Sequence, residues 1–172
     1  MKARPRRAER EIAKELSLFF AELGLPEVKR IPTTGRTGPD IEINEFGLVV
    51  DVKSRLACPK TLFPIKGTFI TAGDYVTMCI NDLLPCGKAM VPKAPSKMVA
   101  DWYSHMEEWT HKHYDDWKIK YGKEHYPSGI TAIIIHRPGM PYGSSAMVLR
   151  RNALDYFGIR ITYHLEKMEH NY

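Results

Sequence analysis

An α/β domain, a mixed central β-sheet flanked by helices, is the fold this 172-residue chain predicts. Three observations predict it. Residues 7–23 and 97–121 carry apolar side chains every three or four positions, the period of a helix with one buried face. Short runs rich in Val and Ile at 40–53 and 130–150 have strand length and composition. The two kinds of segment interleave along the chain, the pattern of an α/β domain. The length suits a single domain with a genuine core.

In the first helix, RAEREIAKELSLFFAEL (7–23), Ile12, Leu16, Phe19, Phe20 and Leu23 form the buried stripe, and Gly24 and Pro26 close it. VKRI (28–31) is a short strand candidate, and TTGRTG (33–38) a polar loop. DIEI (40–43) and LVVDVK (48–53) are strands joined by a NEFG turn at 44–47. Residues 54–96 contain five prolines and read as an insertion with a short helix near 73–84. The second long helix, 97–121, places Val99, Trp102, Met106, Trp109, His113 and Trp117 on one stripe, either core or a dimer seam. ITAIIIH (130–136) is a buried strand broken by Arg137-Pro138-Gly139. SAMVLR (145–150) is the next strand, RNALDYF (151–157) a short helix, and IRITYHLE (159–166) a strand with one wet face. The whole is one domain, 1–172.

Composition narrows the function. No apolar run approaches the roughly 20 residues needed to cross a bilayer, and MKARPRRAER does not read as a signal peptide. An intracellular, cytoplasmic protein with no membrane contact is expected. Cys58, Cys79 and Cys86 form no CxxC pair and have no His at zinc spacing, so packed, reduced thiols are expected. His105, His111 and His113 lack acidic or Cys partners at ligand spacing. The net charge of +5 is concentrated at the start, where Lys2, Arg4, Arg6, Arg7 and Arg10 suit phosphate backbones.

The hairpin carries the chemistry. If NEFG is a four-residue turn, Ile43 pairs with Leu48 and the register carries Asp40 opposite Asp51. Cross-strand Cβ atoms lie only ~5 Å apart, and like charges there repel. Side-chain alternation puts Val49, Asp51 and Lys53 on one face and Leu48, Val50 and Val52 on the other. A divalent cation removes the repulsion. Mg²⁺ suits one or two carboxylates and keeps sites for water and phosphate oxygens, and the Val52 carbonyl supplies one further oxygen. Lys53 is placed to orient or deprotonate a water, or to stabilise charge on phosphorus. The plain alternative is an Asp51–Lys53 ion pair at a strand end, with Asp40 capping a turn.

Pro39-Asp40 followed by Asp51-Val52-Lys53 resembles the PD-(D/E)xK nuclease superfamily, and most closely its archaeal-type Holliday junction resolvases and related phage nucleases. The resemblance implies a restriction-endonuclease-like core. Those proteins open on a helix with an A-E-R-E-like signature, matched here by Ala8-Glu9-Arg10-Glu11, and its first glutamate joins the metal site. That implies Glu9. Helical geometry agrees: at about 100° per residue, Glu9 falls in the arc of Ile12, Leu16 and Phe20, whereas Glu11 lies nearly opposite. Favourable charge at a helix start is the alternative role for Glu9. The likeness covers residues 7–55 well and later segments only by element order. The second acid is Asp51 where resolvases more often carry glutamate, and 54–96 is longer than in compact resolvases.

The resemblance implies phosphodiester hydrolysis with Mg²⁺ (Mn²⁺ as a substitute), leaving a 5′-phosphate, on branched DNA, by a homodimer. Glu9, Asp40, Asp51 and Lys53 are the expected catalytic set, with Glu9, Asp40, Asp51 and Val52 at the metal. Arg6, Arg7, Arg10, Lys29, Arg30, Thr34, Arg36 and Arg55 are the expected DNA contacts, with an ordinary solvated loop the alternative for 33–38. A restriction-type or general DNA-processing nuclease, or a DNA-binding protein on a retired nuclease fold, are the competing functions.

Overall fold

The computed structural model describes residues 4–22, 28, 40–43, 48–56, 58, 62–64, 68–81, 83, 88–89, 96–121, 130–151 and 153. Helix α1 (Arg4–Ala21) is followed by strands β1 (Ile41–Ile43), β2 (Leu48–Ser54), β3 (Thr68–Ala72), β4 (Tyr75–Cys79) and β5 (Lys88–Ala89). Helix α2 (Lys97–Tyr121), β6 (Ile130–His136), a 3-10 turn at Tyr142–Ser144 and β7 (Ala146–Arg150) complete the order. The strands form one sheet in the order β1-β2-β6-β7-β4-β3-β5. β2 runs parallel to β6 and β3 to β5, and the other neighbours are antiparallel. The sheet is mixed and the fold α/β, as expected.

Alternation along the strands creates two cores. Ile41, Ile43, Leu48, Val50, Ala132, Ile134, Met147 and Leu149 face α1, where Ile12, Leu16 and Phe20 are fully buried. Burying each such side chain contributes roughly 2–3 kcal/mol. Ile133, Ile135 and Val148 face the other way, against Val99, Tyr103 and Met106 of α2. The helix stripe in α2 is therefore centred on Tyr103, with Trp102 and Trp109 packed at its margins. Pro5 sits in the first turn of α1, where its missing N–H costs no helical bond.

Several expectations change. α1 starts three residues earlier and ends two earlier than periodicity suggested. The face carrying Val49, Asp51 and Lys53 is not an open polar surface: Val49 is fully buried and Thr131 nearly so, and Thr131 donates to Thr110 of α2 at 3.1 Å. Residues 73–84 hold no helix at Tyr75–Cys79. That segment is β4, paired with β3 and β7. The missed signal is Gly73-Asp74, with Gly73 at φ 59°, the two-residue turn that joins alternating strands. The stretch expected as an excursion thus supplies three strands of the sheet. Of VKRI, only Val28 is described; it is buried and tied through its N–H and carbonyl to the Ser17 hydroxyl at 2.9 and 3.1 Å. Cys58 and Cys79 are buried free thiols. The expected strand at 159–166 and most of the helix at 151–157 lie outside the described residues.

Candidate active site

The hairpin register is the one the turn length implied: Ile43 pairs with Leu48, Glu42 with Val49 and Ile41 with Val50. At Asp40 the chain bends. Its N–H donates to the Val50 carbonyl at 2.8 Å, and its carboxylate accepts the Val52 N–H at 2.8 Å. Asp40 therefore brackets Asp51 instead of simply facing it. The N–H and C=O of one antiparallel strand residue project to the same edge, so the Val52 carbonyl also faces the edge that Asp40 occupies.

Burial, and then the charges of Asp51 and Glu9, push the Asp40 carboxyl up to about 8, against a lowering by the Val52 N–H. Burial and a neighbouring carboxylate both favour a protonated Asp40 unless a cation compensates. Asp51 is only 8% exposed. Its Oδ2 lies 3.2 Å from Lys53 Nζ.

Three elements contribute charge. Asp51 and Lys53 come from the α2 side of β2, Asp40 from the edge beyond β1, and Glu9 from α1 on the opposite face. Glu9 is half-buried between buried Ala8 and Ile12, and its charge reaches Asp40. Glu11, nearly opposite on the helix, pairs with Lys14 at 3.4 Å in a surface contact. Among the described residues, no three His, Cys, Asp or Glu side chains are arranged to hold a metal ion. The side-chain oxygens brought together are those of Asp40 and Asp51. Two neighbouring carboxylates fit a divalent cation of the Mg²⁺ type, which takes one or two carboxylates and completes its shell with water and phosphate.

Trp102 was read as part of a core stripe. It is half-buried at the mouth of this cluster, with Lys53 Nζ 5.9 Å and Arg55 Cζ 5.8 Å from its ring centroid. Such contacts stabilise cations by roughly 0.5–1 kcal/mol when exposed. A stripe position gives no hint that the same ring borders a site 50 residues away in sequence. Arg7 and Arg10 are exposed on α1, and Arg55 is exposed past the end of β2. The Arg6 side chain and Lys29, Arg30, Thr34 and Arg36 lie outside what is described. No family model, no curated protein and no solved structure matches this chain.

Proposed function

We propose that this chain is a Mg²⁺-dependent endonuclease on a restriction-endonuclease-like core, hydrolysing DNA phosphodiesters at branched sites as a homodimer. The observation that carries the reading is the Asp40 carboxylate, bonded to the Val52 N–H between Asp51 and Lys53, beside the Asp51–Lys53 ion pair. A divalent cation bound there would supply charge neutralisation and acidify a bound water. Asp40 and Asp51 would hold it, with the Val52 carbonyl on the same edge. Lys53, ion-paired with Asp51, offsets charge that grows on the phosphate oxygens. Glu9 adds negative charge from the α1 side, and Arg7, Arg10 and Arg55 offer guanidinium groups to flanking phosphates. An intracellular, DNA-associated location follows from this reading. Among the described residues, no helix is long and apolar enough to cross a membrane.

A second reading, DNA binding without cleavage, draws on the exposed Arg7, Arg10 and Arg55. One assay separates the two. Labelled four-way junction, flap and linear duplex are incubated with Mg²⁺, Mn²⁺ or chelator. Cation-dependent cuts in the junction, lost in Asp40→Asn and Asp51→Asn while binding persists, are expected. Binding without cutting leaves the second reading; cutting of linear duplex alone removes the branched substrate.

A further inference from the structure

β2 and β6 run parallel, and their last pair is Ser54 with His136. The ladder continues one step further, because the Arg55 N–H donates to the His136 carbonyl at 3.0 Å. Arg137 follows directly in sequence, which places Arg55 and Arg137 side by side at the carboxyl ends of two adjacent strands. By alternation both continue the face of Asp51, Lys53, Ile133 and Ile135. Cys58, buried in the core on that face, supports the placement independently. Burial raises its thiol, while the charges of Arg55 and Arg137 both act to lower it.

Two guanidiniums at neighbouring strand ends repel unless something negative lies between them. Among the described residues no ion pair engages either. Arg55 has one internal bond, from Nη1 to the Ser54 carbonyl at 3.0 Å, and rests over Trp102. Arg137 Nε is buried with no hydrogen-bond partner among the described residues. A buried, charged donor without an acceptor is costly, and an anion that enters from the open side satisfies it. Phosphate suits it: guanidinium forks recognise tetrahedral oxyanions through paired N–H bonds. The pair sits two residues, about 7 Å, beyond Lys53 along β2, on the order of one step of a nucleic-acid backbone.

We infer that Arg55 and Arg137 form a single phosphate subsite, gripping the DNA phosphate next to the one presented to Asp40, Asp51 and Lys53. The inference rests on the nuclease reading for its ligand, and adds a binding residue, Arg137, that the sequence marked only as a strand breaker. One phosphate held by two forks fixes the strand's register at the acid pair.

The test is fluorescence-anisotropy titration of a labelled four-way junction across a salt series, with Ca²⁺ in place of Mg²⁺ to hold off cleavage. Arg137→Gln is expected to loosen binding roughly tenfold and to lower the salt slope by about 0.9, the loss of one phosphate contact. Arg55→Gln should do the same. The double variant should lose little more than either single, because both serve one phosphate. Arg137→Lys, which keeps the charge, should retain the slope. Thermal melts run alongside: an Arg137→Gln chain that does not fold passes the test to Arg55→Gln and Arg137→Lys. An unchanged slope in folded variants overturns the subsite, as does full additivity with a slope lower by about two, or a wild-type chain that binds no DNA. A subsite that behaves as expected in a chain that never cuts overturns the nuclease reading and leaves this one standing.

Discussion

The carboxylate of Asp40 accepts the backbone N–H of Val52 at 2.8 Å, across the strand position that carries Asp51. One side chain thus closes the sheet edge where β1 begins, beside a second acid. Stability and chemistry meet at that bond, and the first expectation concerns pH.

With its folded value near 8 against 3.8 in the unfolded chain, Asp40 holds its proton more tightly when folded. Below about pH 4 both states are protonated, and stability is unaffected. Between about 4 and 8 the unfolded state releases the proton first, so metal-free stability falls as pH rises through that window. Mg²⁺ should flatten the decline, and Asp40→Asn should remove it. Melting temperatures from pH 5 to 9 in chelator, then with Mg²⁺, are the measurement. A pH-independent wild type contradicts the crowded pair.

Glu9→Gln is expected to slow cleavage strongly, whereas Glu11→Gln should change it little. Only Glu9 places its charge on Asp40; Glu11 is engaged with Lys14 at the surface. Single-turnover rates on one junction decide it. Equal losses in both variants mean that the helix contributes through general charge.

Lys53→Met should lower kcat by about 10²–10³-fold, the usual loss when one charge-stabilising donor is removed. Junction binding should weaken far less. If KM rises and kcat holds, Lys53 is a binding group and the reaction needs another source of positive charge.

Tyr103→Phe should destabilise the fold by about 1–3 kcal/mol, the cost of stranding buried partners. Its hydroxyl donates to the Thr131 carbonyl at 2.5 Å and accepts the Arg150 N–H at 3.2 Å. Arg150 in turn forks onto Glu107 with bonds of 2.6 and 2.8 Å. Urea melts give the number, and junction cleavage well below the transition should be unaffected, because the cluster lies on the β7 side of α2.

Paired cuts across a junction need two active sites, and a twofold dimer is the commonest way to supply the second. Light scattering across micromolar concentrations should therefore report a dimer. A monomer at every concentration, with junction DNA present, leaves a nicking enzyme.

The hairpin was legible because its alternation and its turn act locally: apolar Ile41, Ile43, Leu48 and Val50 could only share a face, and the face fixed the register. Glu9 was legible for the same reason, as an acid on an apolar helix arc. What the chain hid is non-local. Whether Val49's face was open or covered depended on α2, about fifty residues on. The tie from Asp40 to Val52 arises because β1 begins one residue after Asp40, a boundary that composition does not mark. β4 was missed through the proline-rich surroundings, although Gly73-Asp74 between Thr68–Ala72 and Tyr75–Cys79 carried a hairpin signal. Arg137 looked like a breaker because parallel neighbours cannot be read from the sequence of either strand.

Parallel pairing of β2 with β6 also sets an order of events in time. Ser54 and His136 are 82 positions apart, and every residue between them must be made before the two strands can meet. Pairs of such separation form late and slowly, since the intervening loop must close first. A growing chain that already contains Asp40, Asp51 and Lys53 still has β2 unflanked on its inner side. On the nuclease reading, cutting capacity would switch on only as the last quarter of the polypeptide leaves the ribosome, so prematurely terminated products would carry the acids without the strand that braces them.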